Sequence, residues 1–332
     1  MKKVASSINT RIFVHMIILG SLFAMSSVQT FGTIRTVDNN YPRIGQFSTL
    51  QEAHDAASNG DTIYVYPSQK GYTGITVTKR IILIGTGFGI PQANVQRSHI
   101  GNMTFDPGSQ NSIIEGFDGN FQLIINENYI TAQRNKIGGI NLKSGHLGNI
   151  ISRNLINYID IENQNEVIFK NNIIITTFKI CIFSYTSNSS IILDYNVLRH
   201  NYAYGDVLQL GGSNLKMTNC ILLQGHFNGV NTSESFNNIC NSNQLSSVNG
   251  NIPNINMAEV FVDPENNDFH LKPGSPAIGT GLNGTDMGIY GGVTPFVDGR
   301  YPDIPAIYFL DVPLNAKQKE GINVIIKAKT NQ

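Results

Sequence analysis

Lys143, Asp160, Glu162 and Lys179 are the charged side chains whose spacing best suits chemistry, because Lys143 and Glu162, and again Asp160 and Lys179, stand 19 residues apart. Carboxylates at alternate positions of a strand share one face, and such a face can offer oxygens to calcium, which takes about six to eight of them. A lysine beside them can act as a base only where its pKa is lowered. With a lysine on either side, however, the two acids read as surface ion pairs rather than as a calcium cluster. No metal site is assigned on this reading, and calcium is the one cofactor held open.

Gln122 and Asn141 precede Asp160 in the same series of 19-residue steps. Together with Tyr158 they offer amide and aromatic groups to a sugar, as do Tyr185, Tyr202 and Tyr204. Arg134 and Arg153, also 19 apart, form a basic pair suited to an acidic glycan. Asp194 and Asp206 near Arg199 and His200 make a second charged group, which reads as solvated loop charge. Zinc is not indicated, since no C-x-x-C occurs and the histidines are scattered. Gly85-Thr86-Gly87-Phe88-Gly89 follows a strand but opens no helix, so it is a turn and not a dinucleotide loop. Asp263 to Asp268 lacks the Gly and Glu of an EF-hand and is likewise a turn.

These side chains must be carried by a repeat. The pairs Phe121 and Leu123, Ile140 and Leu142, Ile159 and Ile161, and Phe178 and Ile180 recur every 19 residues, each enclosing one polar or charged residue. An apolar-polar-apolar triplet is a strand with one buried face, and its repetition stacks a buried column beside a solvent column. A second marker, Asn followed two places later by an aliphatic residue, recurs at Asn135, Asn154, Asn172, Asn196 and Asn219 with steps of 19, 18, 24 and 23. Asn tolerates a left-handed backbone and bonds its own amide along a stack, so it suits one sharp turn per repeat. Short strands at this period, without the L-x-x-L-x-L spacing of leucine-rich repeats, predict an all-β parallel β-helix.

Composition agrees. Asn and Ile each make up about an eighth of the 332 residues, and both are poor helix formers. With 23 basic against 23 acidic residues the chain is not a basic nucleic-acid binder. Lys2, Lys3 and Arg11 before the apolar run Ile12 to Met25, with small residues at Ala24, Ser26 and Ser27, predict a signal peptide over 1–26. No later segment is long enough to span a membrane. Ser48 to Ala57 predicts a short amphipathic helix opened by a capping Ser, and Thr62 to Tyr66 a strand. The β-helix is expected over 33–299 and a short β tail, packed on the last coil, over 300–332. Cys181, Cys220 and Cys240 are odd in number and read as buried thiols, with a Cys220 to Cys240 bridge left open.

Ser48 to Ala57, Gly60-Asp61-Thr62-Ile63-Tyr64-Val65, Gly71-Tyr72 and Ile81 to Gly85 resemble the N-terminal cap and first coil of the right-handed, pectate-lyase-like parallel β-helix superfamily. Asp268 to Ile278 and Asp286 to Gly292 resemble the closing segment of exported bacterial β-helix proteins. For a polysaccharide lyase the resemblance implies calcium-binding carboxylates with a Lys or Arg base, which here would fall to Lys143, Asp160, Glu162 and Lys179. A hydrolase of this group would need three carboxylates on neighbouring coils, and no such set is visible. The expectation is therefore a secreted or surface-held monomer that binds an extracellular polysaccharide or cell-surface glycan without a convincing catalytic set. An enzyme acting on uronate-containing glycans and a structural or adhesive spacer are the alternatives.

Overall fold

The computed structural model describes residues 32–88, 97–162, 166–176, 182–183, 190–200, 207–210, 214–223, 226–228, 234–298, 306–311 and 324–329. The expected signal peptide lies outside the described residues, as do Lys179, Cys181, Tyr185, Tyr202, Tyr204 and Asp206. None of the described helices is long and apolar enough to cross a membrane.

Isoleucine, valine and leucine alternate with polar residues in runs of two to five, too short to bury a core alone, so the chain stacks them. The result is a parallel β-solenoid. A representative coil runs Asn149–Ser152, Leu155–Ile156, Ile159–Ile161, one strand for each of three parallel sheets. Sheet 1 has 10 strands from Ile34–Val37 to Ser235–Phe236, sheet 2 has 6 from Lys136–Ile137 to Ile239–Cys240, and sheet 3 has 8 from Thr76–Val77 to His226–Asn228. The inward residues, among them Leu83, Phe105, Leu123, Ile140, Ile159 and Phe169, form one continuous interior. Each such side chain contributes about 1.5–3 kcal/mol by leaving water.

The predicted cap helix is present as Leu50–Ala56, but its N-cap is Thr49 and not Ser48. Thr49 Oγ1 accepts from the Glu52 amide, while the Glu52 carboxylate accepts from the amides of Thr49 and Ser48 and from the Ser48 hydroxyl. Lys79 ties the far end down, donating to the carbonyls of His54, Asp55 and Ala57 at 2.9–3.0 Å. Gly85 is a turn residue as expected, and a Cβ there would collide with the Gly116 carbonyl of the next coil.

The asparagine column is real, with two corrections. Each ladder Oδ1 accepts from the backbone amide of the previous ladder residue, from Asn135 through Asn154, Asn172 and Asn196, and again from Cys220 to Asn238 to Asn251. The fifth member is thus Cys220 and not Asn219. Nor are the ladder residues the left-handed ones. Positive φ belongs to the residue before each: Gly116, Arg134, Arg153, Asn171, Tyr195, Asn219, Asn237 and Gly250. The turn needs a left-handed residue to reverse the chain, and the next side chain then points inward where only a ladder satisfies its amide.

The closing segment runs along this corner. Asn171 Nδ2 donates to the carbonyls of Ile289 and Gly291, the Gly288 amide donates to the Asn219 carbonyl, and Asn237 Nδ2 donates to the Thr280 carbonyl. Ala277, Met287, Ile289 and Phe296, with the hairpin Phe261–Asp263 and Asp268–Leu271, cover the outward Ile173, Val197, Ile221 and Ile239 of sheet 2. The turn Pro264–Asn266 joins the two hairpin strands, as read from the sequence. Cys220 and Cys240 are buried free thiols, and burial pushes the Cys220 thiol up to about 12. In the tail, Ala306–Asp311 and Ile325–Lys329 pair as an antiparallel sheet, with Val324, Ile325 and Ile326 exposed.

Candidate functional site

With the closing segment and hairpin over sheet 2, sheet 3 presents the polar face the sequence pointed to. Its outward positions are set by register, and the register differs from a uniform 19-residue step. Asn141 lies opposite Asp160, and Asn141 Nδ2 donates to Asp160 Oδ2 at 3.4 Å. Gln122, however, lies opposite Gly139, while Ile124 lies opposite Asn141. The cause is one extra residue at the corner: Asp118 pairs with Lys136, yet Leu123 pairs with Ile140. Gly139 leaves room for the Gln122 side chain, which a Cβ would strike. On the other side Asp160 lies opposite Ile182, so the 19-residue step that would set Lys179 beside it does not hold.

Lys143 and Glu162 do meet, Nζ to Oε1 at 2.7 Å. Hydrogen bonding to Lys143 comes first among the influences on Glu162; it and the Ser144 amide outweigh partial burial and hold the carboxyl below its ordinary range. Both side chains are about two-fifths exposed, so the pair contributes only a few tenths to about 1 kcal/mol. Tyr158 is half-buried, its carbonyl accepting from the Ile140 amide.

The two arginines are not an exposed pair. Both occupy the left-handed corner, φ 53° and 57°. Arg134 is buried at 3% exposure and pairs with Glu115 at 3.6 Å. Arg153 Nη2 donates to Gln133 Oε1 at 2.7 Å, and Gln133 Nε2 donates to Glu115 at 2.8 Å. They stitch successive coils together. Asp194 and Arg199 are not brought together either. Asp194, on sheet 1, is raised by burial, which outweighs Lys170 at 3.8 Å and Asn219. Arg199, on sheet 2, pairs with Glu265 at 2.8 Å and donates to the Pro264 carbonyl beside a cavity of about 430 Å³ lined by Leu223, Ile255 and Met257.

A polar corner that sequence reasoning missed adjoins the sheet 3 face. Asn126 Nδ2 donates to Asp106 Oδ1 at 3.0 Å, and His146 Nε2 lies 3.1 Å from Asn126 Oδ1. These contacts step by 20 residues rather than 19, which is why a search at one period passes them by. Partial burial works against the Glu127 carboxylate, but the amides of Asn128 and Gly108 overcome it and hold the group ionised below its ordinary range. Beside it Tyr129 holds φ 55°, a left-handed conformation that costs an ordinary residue roughly 1–2 kcal/mol. Its ring is nonetheless 45% exposed.

Among the described residues no group of three His, Cys, Asp or Glu stands close enough to hold a metal ion. The described side chains of this face can donate and accept hydrogen bonds and stack an aromatic ring. Compared with known proteins, the chain matches no family model and none of the curated proteins.

Proposed function

We propose that this protein is an exported β-helix protein, allied to the pectate-lyase-like group, that binds an extracellular polysaccharide along sheet 3. The observation that carries this reading is the outward face of that sheet. Asn102, Thr104, Gln122, Asn126, Asn141 and Asp160 are exposed or half-buried there, on successive coils. Adjacent strands lie about 4.8 Å apart. Amide and carboxylate groups repeating at that interval meet the hydroxyls of consecutive sugar rings in an extended chain.

The test is a panel of neutral and uronate polysaccharides with and without calcium, followed by gel retardation and, in parallel, by unsaturated-product absorbance and reducing ends. Retardation without product is expected. The double variant Lys143→Ala with Asp160→Ala should weaken retention several-fold. Product formation that the double variant abolishes would replace the reading with a lyase or hydrolase, and silence in every assay would leave a structural coil.

A further inference from the structure

The Tyr129 corner carries a more specific assignment, which rests on the glycan-binding reading above. Three features there are unnecessary for holding a coil together. A large aromatic occupies a left-handed position, φ 55°, where the equivalent need elsewhere is often met by Asn or Gly. Its ring is 45% exposed rather than folded into the stack. The next coil supplies Gly148, itself at φ 69°, against the ring, and a Cβ at that position would collide with Cδ1 and Cε1. The Tyr129 amide donates to the Leu147 carbonyl and the Leu147 amide to Asn128 Oδ1, both at 3.0 Å, so the ring is held by backbone on two coils. A rigid, half-exposed aromatic plate is a stacking surface for the apolar face of a sugar ring.

The charges beside it choose the sugar. Asp106, Glu127 and Glu162 stand on neighbouring coils, and the Glu166 carbonyl accepts from the Gly148 amide, bringing a fourth acidic residue to the same corner. The cations facing them are Lys143, paired with Glu162 at 2.7 Å, and His146, bonded to Asn126. A polyuronate would bring further carboxylates to a side already in acidic excess, whereas hydroxyls can donate to these oxygens. We infer that Tyr129, with Asn126 and His146, forms the ring-stacking subsite for a neutral pyranoside chain.

The experiment is affinity electrophoresis of the protein in gels containing a neutral glucan, mannan or xylan, against polygalacturonate with and without calcium. Tyr129→Gly removes the ring while relaxing the left-handed backbone, and Tyr129→Phe keeps the ring. Tyr129→Gly should weaken binding of the neutral glycan about tenfold and Tyr129→Phe should leave it within about threefold of the parent. Circular dichroism should be unchanged in both. Neutral-glycan binding that survives Tyr129→Gly overturns the subsite while leaving the glycan reading intact. Preferential retention by polygalacturonate overturns the neutral class. Retention by no polysaccharide overturns both.

Discussion

Replacing Asn154 by Ala should be among the most costly single polar substitutions in the molecule. Asn154 is fully buried, and its Oδ1 accepts from the Asn135 amide at 2.8 Å and from Asn135 Nδ2 at 3.2 Å. Its Nδ2 donates to the Ala132 carbonyl at 2.9 Å and to Asn172 Oδ1 at 3.1 Å. The Asn154→Ala change strands a buried amide on Asn135, costing about 1–3 kcal/mol, and weakens the groups that Asn154 Nδ2 served by about 1 kcal/mol each. The sum is about 3–5 kcal/mol. The comparison variant is Asn141→Ala, whose half-buried side chain makes one long bond of 3.4 Å and should cost under about 0.5 kcal/mol. Urea unfolding followed by circular dichroism reads both, and hydrogen exchange should show the Asn135 amide losing protection first. A loss below about 1 kcal/mol for Asn154→Ala, indistinguishable from Asn141→Ala, would refute the ladder as the device that holds the corner.

Cys220→Asn should instead stabilise by about 1–2 kcal/mol, because the Cys220 Sγ is a weak acceptor 3.4 Å from the Asn196 amide and 3.9 Å from its Nδ2. A lowered urea midpoint would show that the column is too tightly packed there for an amide. His270 lies between Asp268 at 2.6 Å and Asp298 at 3.0 Å and stacks on Tyr290, whose hydroxyl donates to Asp298. Burial alone would lower its pKa, but the two carboxylates overcome it and raise it above 6.5. A raised folded value means that this stabilisation is complete below the ordinary histidine pKa and is lost as pH rises through the folded one. Stability measured from about pH 6 upward should therefore fall in the parent and flatten in His270→Gln, and parallel slopes would contradict the pairing.

The sequence by itself determined the architecture, because the inward positions must be apolar and recur once per coil. Ile140 and Ile159, Leu142 and Ile161 could be assigned to one buried column from spacing alone, and the structure pairs them so. The capping helix, the stacked asparagines and the buried thiols were legible for the same reason: each is a local rule about which residue types a strand, a turn or a core accepts. The candidate site was legible only in part. Lys143 and Glu162 meet as their spacing required, since no insertion separates their coils.

What only the tertiary structure decided is what lies opposite what. One extra residue at Gly119 to Phe121 leaves every buried position buried yet moves Gln122 off the Asn141 column, so hydrophobic periodicity carries no trace of the shift. The same holds at the left-handed corner. Spacing could not separate Asn219, which turns the chain, from Cys220, which enters the ladder, because the two are adjacent and only the backbone angle distinguishes them. Arg134 looked like a surface charge until its coil was closed against Glu115. Tyr129, His146 and Asn126 belong to coils of unequal length, and they become neighbours only when the solenoid brings loops of 19 and 20 residues into one stack.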